Sequence, residues 1–243
     1  MRLLHIIATP RSHESNTIRV SNALIEALYL RYPDLTVTIL DLFKADLPAV
    51  AGANIESKYK LMTGQALDTY QQACWQAIDT TCKQFLDADI YVVTTPMWNL
   101  SIPYVLKYYI DAIVQPGYLF RYNEIGVAEG LLTGKQMVVM TSRGGDYSPG
   151  SPLQAFDFLE PYLRAIFGFV GVADLHFINA HGMDISPAAR RASLVKAMAE
   201  ARALAANGHW PADAPAEPAE VLALTEAVSM PVPALRELEM AAA

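Results

Sequence analysis

Apolar residues in this chain come in short bursts separated by stretches of helical period. Residues 3–8 (Leu-Leu-His-Ile-Ile-Ala) form a nearly unbroken run, as expected of a strand covered on both faces. Residues 88–95, 136–141 and 173–180 repeat that pattern. Residues 35–42 instead alternate polar with apolar and are rich in Thr, Val and Ile, which predicts a strand nearer a sheet edge. Between them, Ile18, Leu24, Ile25 and Leu28 recur at helical spacing within residues 17–30. Further helices are expected over 67–86, over 102–114 with Pro103 in the first turn, and over 155–167. A last one runs over 187–206, capped by Ser186-Pro187 and stopped by Asn207-Gly208. Residues 43–66 show no regular period and read as a long connection. Five strands alternating with helices require crossover connections. The expected fold is therefore α/β: a doubly wound, five-stranded parallel sheet of order 2-1-3-4-5 with helices on both faces.

Composition bounds this picture. Of 243 residues, 53% are hydrophobic and 18% charged, enough for a real core and incompatible with a disordered or fibrous chain. The formal net charge is −7, and residues 209–243 carry six acids against Arg236 alone. The body is thus close to neutral, with no basic stripe for nucleic acid and nothing to attract anionic lipid. No apolar run approaches the roughly 18 residues of a membrane span. The amino-terminal residues turn polar too soon for a secretory signal, so a cytoplasmic location is expected. Cys74 and Cys82 stand eight apart in one expected helix, where they cannot pair, and read as reduced thiols. Two segments result: a domain over 1–208 and a Pro/Ala-rich acidic C-terminal extension over 209–243. Within the extension Val221, Leu224 and Val228 would share one face of a short helix at 220–229, suited to docking on the body or a partner subunit.

In such a sheet the chemistry belongs at the carboxyl ends of the strands, where strand order reverses. The loops after the first, third and fourth strands are the chemically rich ones, and the strand order brings them together. The first holds Thr9, Ser12, Ser15, Asn16 and Thr17 ahead of a helix. No glycine precedes Gly52, so this loop is neither a G-x-G-x-x-G cradle nor a Walker loop. Hydroxyls beside the free amides of a helix start suit a phosphate dianion without metal; the alternative is ordinary N-capping by Ser15 or Asn16. The second loop offers the flat Trp98 and the amide of Asn99, which suit a flavin ring and its edge. The third, Ser142-Arg143-Gly144-Gly145, allows close backbone approach and would place a cation or amide dipoles beside that ring. The aromatics of residues 118–122 suggest a small hairpin over the site. His176 and His181 do not read as a metal pair, and no G-x-S-x-G elbow occurs.

These motifs together resemble the FMN-dependent NADH:quinone reductases known as azoreductases. The likeness runs through Ala8-Thr9-Pro10-Arg11 with Ser15-Asn16-Thr17, and Pro96-Met97-Trp98-Asn99 with Ile102-Pro103. It continues through Phe120-Arg121-Tyr122 and Ser142-Arg143-Gly144-Gly145, covering about residues 1–207. The resemblance implies a flavodoxin-like homodimer holding one FMN per subunit. Hydride would pass from NADH or NADPH to FMN and on to a quinone or azo compound by a ping-pong cycle. Thr9, Ser15, Asn16 and Thr17 would hold the phosphate. Pro96, Met97, Trp98, Asn99 and Leu100, with Ser142, Arg143, Gly144 and Gly145, would hold the ring, and Phe120 would reach the substrate space. The family usually has Ser at the positions of Thr9 and Thr17 and Tyr at that of Trp98, and it lacks the extra residue found here near 126–130. A non-catalytic electron carrier or flavin sensor, and a reductase releasing its reduced flavin, are the competing classes.

Overall fold

The computed structural model describes residues 1–213. A five-stranded parallel sheet is built from β1 (Arg2–Ile7), β2 (Thr36–Asp41), β3 (Ile90–Pro96), β6 (Gln136–Ser142) and β7 (Asp174–Ala180) in the order β2-β1-β3-β6-β7. By position this is the expected order. The register pairs Ile7 with Thr94, Pro96 with Ser142, and Ser142 with Ala180, so the carboxyl ends of β1, β3, β6 and β7 finish side by side.

Each sheet face is covered by its own group of helices. α1 (Asn16–Arg31) and α6 (Pro187–Asn207) lie on one face, where Val20, Leu24 and Leu28 pack with Leu194, Ala197, Ala201 and Ala205. The alanines recur every four residues and let the two helices approach closely. α3 (Thr69–Leu86), α4 (Tyr104–Ile113) and α5 (Glu160–Phe169) cover the other face with Ile78, Phe85, Leu106, Ile110, Leu163 and Phe167. Along β1, Leu3 points to the first cluster and Leu4 and Ile6 to the second, which explains the unbroken apolar run. Each such side chain contributes about 1.5–3 kcal/mol on burial. β2, at the edge, is mostly exposed or half-buried, as its alternation anticipated. Cys82 is buried with its thiol toward the carbonyls of Ala112 and Ile113, and both cysteines are free.

Four expectations need correction. Residues 43–66 are not all irregular: α2 spans Ala53–Met62, starting after Gly52 at φ 53°. Only Ser57 of this helix is buried, so it carries no apolar stripe to reveal it. The helix expected over 155–167 is a single 3-10 turn at Gln154–Phe156, a break, and then α5. Pro161 fits only a first turn, and the Asp157 carboxylate accepts from the N–H groups of Leu159 and Glu160 at that start. Pro103 sits at the N-cap of α4 rather than inside it. Residues 118–122 do enter a hairpin, β4 (Phe120–Tyr122) against β5 (Ala128–Gly130), but Phe120 is buried against Phe169 and Tyr122.

Packing also continues past Gly208. Trp210 is 2% exposed and donates its indole N–H to the Ala205 carbonyl. Arg31 caps the carboxyl end of α6 by donating to the carbonyls of Ala205, Ala206 and Gly208, and pairs with Asp213 at 2.9 Å. The first residues assigned to the extension therefore pack on α1 and α6. The helix expected over 220–229 lies outside the described residues.

Two predictions follow from this core. Trp210→Ala should cost roughly 3–5 kcal/mol, read by urea unfolding. His5 is 3% exposed and shares a 2.8 Å hydrogen bond with the Thr94 hydroxyl, and burial lowers its pKa from 6.5 to about 4. The unfolded chain takes up this proton at the higher pH, so folding stability from this group is complete above pH 6.5 and declines toward pH 4. The loss should amount to roughly 3 kcal/mol and be absent from His5→Val, compared by urea unfolding at several pH values.

Candidate functional site

The carboxyl ends of the strands open into a cleft of about 400 Å3. Its walls are Thr9, Pro10, Arg11, Ser15, Asn16 and Thr17 from the loop after β1 and the start of α1, Pro96, Met97 and Trp98 from the end of β3 and its loop, and Ser142, Arg143 and Gly144 from the end of β6 and its loop. Ligand clefts of this kind span about 300–1,000 Å3.

The β1 end is a donor site. Ser15 is the N-cap of α1: its hydroxyl accepts from the Ile18 N–H at 3.5 Å and donates to Thr17 Oγ1 at 3.3 Å. Thr17 Oγ1 lies 3.1 Å from Ser142 Oγ, which ties the loop after β1 to the end of β6. Among the described residues, no protein acceptor pairs with the backbone N–H of Asn16 or Thr17. Free amides at the start of a 16-residue helix, with Ser15, Thr17 and Ser142 hydroxyls beside them, are what a bound anion needs. Capping and anion binding, separate alternatives in the sequence, use different donors here and coexist.

The β3 loop is a two-residue turn. Trp98 and Ser101 exchange backbone hydrogen bonds of 2.9 and 3.0 Å across Asn99 and Leu100, both at positive φ (47° and 70°). This is the primed turn that suits a hairpin twist. Leucine in that region costs about 1–2 kcal/mol, so the surroundings must impose it. Trp98 stays 36% exposed, its ring 6.0 Å from Phe43, which in turn packs edge-on against Tyr104. Beyond Trp98 a second cleft of about 470 Å3 is lined by Asn99, Ser101, Ile102, Tyr104, Lys107 and Tyr162. Leu100 and Gly145 line neither cleft, nor does Phe120.

At β6 the structure corrects one expectation. The Arg143 guanidinium does not stand in the cleft as a free cation; its side chain is 1% exposed and turned inward. It donates from Nε to Thr141 Oγ1 (3.0 Å), from Nη1 to Asp157, and from Nη2 to Asn179 Oδ1 (3.2 Å) and Glu160 (3.4 Å). A buried arginine must find such partners, and these neutralise it. What the loop offers the cleft is backbone at Gly144, whose N–H, like that of Gly145 outside the lining, has no protein acceptor among the described residues. A Cβ on Gly144 would come within 2.6 Å of Asp184 Oδ2, so glycine is what lets that carboxylate lie close.

The loop after β7 also enters the site, although its sequence is plain. Met183, Asp184 and Arg190 line the cleft, with Arg190 Nε donating to the Met183 carbonyl at 2.6 Å. Hydrogen bonds from Met183 N to Arg143 O and from Asp184 N to Gly144 O zip this loop to the one after β6. A sequence signal existed: Arg190 lies in the first turns of α6, against the helix dipole, where a base is unexpected without an anion nearby. Phe43, which supports Trp98, carried no such signal. His181 accepts from the Tyr147 N–H at Nδ1; burial first, then Arg143, lowers its pKa and favours the neutral ring. Among the described residues no cluster of three or more His, Cys, Asp or Glu could hold a metal.

Comparisons with known proteins agree with this geometry. The family model for the flavodoxin-like fold matches residues 1–205. An FMN-dependent NADH:quinone oxidoreductase of Nitratidesulfovibrio vulgaris is 39% identical over 176 residues, covering 72% of this chain and 84% of that protein. One from Pseudomonas fluorescens is 36% identical over 212 residues, covering 85% and 98%. Among solved structures, an azoreductase from Bacillus anthracis superposes with a TM-score of 0.76 at 29% identity, covering 84% of this chain and 98% of that one. An FMN-dependent NADH-azoreductase of the same species, solved in complex with FMN, gives 0.76 at 26% identity, covering 85% and 98%. With its strand order already matching, this chain belongs to the flavodoxin-like fold family and, within it, to the family of FMN-dependent NADH:quinone oxidoreductases and azoreductases.

Proposed function

We propose that this protein is an FMN-dependent oxidoreductase that takes hydride from NADH and delivers it to quinones or azo compounds by a ping-pong cycle. One observation carries the proposal: three crest loops meet in a single cleft whose ends differ in the way the two halves of FMN differ. At the β1 end, Ser15, Thr17 and Ser142 hydroxyls and the amides of Asn16 and Thr17, unpaired among the described residues, would hold the phosphate, with Thr9 beside them. At the β3–β6 end, Pro96, Met97 and Trp98 form an apolar wall, and the Gly144 N–H would meet the polar ring edge. FMN when bound supplies a ring that accepts hydride from one partner and passes it to another, so no protein acid or base need stand at the reacting atoms.

The chain's own residues bind and polarise. Because Arg143 is neutralised internally, stabilisation of negative charge at the ring edge falls to backbone N–H dipoles, which are fixed and need no reorganisation. The second cleft, walled by Trp98, Tyr104 and Tyr162, has the aromatic lining an acceptor would stack on. Tyr104, which lines the second cleft, and Tyr108, Phe156 and Phe158 expose aromatic surface that a second copy of the chain would cover in a homodimer. Among the described residues no helix is long and apolar enough to cross a membrane.

Protein incubated with FMN and then desalted should retain flavin absorbance. That absorbance should bleach with NADH under anaerobic conditions and return on adding benzoquinone. Protein that keeps no flavin overturns the proposal; flavin that NADH leaves oxidised points to an electron carrier. Ser15→Ala should weaken FMN binding roughly ten-fold through one lost hydrogen bond to charge, with about 1 kcal/mol lost from the α1 cap. Equal retention of FMN in dialysis would leave Ser15 a cap alone.

A further inference from the structure

The Arg143 side chain lies within the family's ring-binding motif yet faces away from the cleft. Its fork is satisfied by Thr141, Asp157, Asn179 and Glu160, drawn from β6, the break before α5, β7 and α5 itself. Glu160 also binds Arg164 at 2.7 Å and accepts from Asn179 Nδ2 at 2.9 Å, so two cations balance two carboxylates around Asn179. Asp157, held by Arg143, accepts from the N–H groups of Leu159 and Glu160 and so fixes the segment on either side of Phe158. The Phe158 N–H donates to the Leu100 carbonyl at 3.0 Å. Leu100 is the residue at φ 70° that closes the turn carrying Trp98 and Asn99. An unbroken path thus runs from a buried guanidinium to a turn that a non-glycine residue would not adopt unaided.

We propose that Arg143 is a positioning residue: through Asp157 and Phe158 it holds the strained Trp98–Ser101 turn in place, so that the loops after β3 and β6 face one another at the fixed spacing a flat ring needs. Arginine rather than lysine is required because four directional bonds to four elements need the planar fork. The role acts on the turn, not on the ring, and the proposal rests on FMN being the ligand of the cleft.

The test exploits the strain. Arg143→Lys keeps the charge but loses the fork, and should raise the FMN dissociation constant roughly ten-fold or more, measured by quenching of FMN fluorescence. Adding Leu100→Gly gives the turn a residue that adopts positive φ freely, and should recover most of that loss. The same Leu100→Gly change added to Ser15→Ala, at the other end of the cleft, should recover none. An Arg143→Lys protein that binds FMN like the parent, a double variant no better than Arg143→Lys, or equal rescue of Ser15→Ala overturns the proposal. If Arg143→Lys does not fold by circular dichroism, Asp157→Asn replaces it under the same criteria, since it breaks the same path while its side-chain oxygen still caps α5. A parent protein that binds no FMN at all instead defeats the functional proposal on which this one stands.

Discussion

The constraint behind everything else is that the central strands are covered on both faces. β1, β3 and β6 have helices above and below, so their middles must be apolar or, where polar, internally satisfied, as His5 is by Thr94. Groups that must meet water or a ligand are pushed to the strand ends. At the carboxyl ends the parallel register aligns Ile7, Thr94, Pro96, Ser142 and Ala180, and residues distant in the chain become the rim of one cleft.

That cleft suits an anion although the protein as a whole carries −7. The reason is range. Amide N–H groups and hydroxyls act over a few ångströms, and a helix start adds its partial charge locally, while surface charges are screened within about 10 Å at ordinary ionic strength. The formally charged residue in the motif, Arg143, is directed away from the cleft. Its cost of burial is met by carboxylates and Asn179, and its contribution is to geometry.

Strain and satisfaction are distributed in a consistent way. Leu100 adopts a backbone angle that leucine rarely holds, and it does so where the Phe158 N–H and the Trp98–Ser101 pair hold the turn. Among the described residues the amides of Asn16, Thr17 and Gly144 at the cleft lack protein acceptors, whereas the inward-facing Arg143 makes four hydrogen bonds to protein. Free donors on one side and an engaged ionic network on the other is the arrangement expected of a rigid binding site.

Much of this was legible in the chain. Doubly buried strands leave apolar runs, and amphipathic helices leave a period, because burial acts on every residue of those elements; the sheet order and the crest position of Thr9, Ser15–Thr17, Trp98 and Ser142–Gly144 followed. The exposed α2 left no trace, since a helix burying one serine has no stripe. The direction of the Arg143 side chain, the support of Trp98 by Phe43, and the entry of Asp184 into the cleft were decided by tertiary structure alone, while Arg190 left only the hint of a base in the first turns of α6. A side chain's direction depends on which partners a distant segment delivers, and Asp157, Glu160 and Asn179 reach Arg143 only once the sheet has closed.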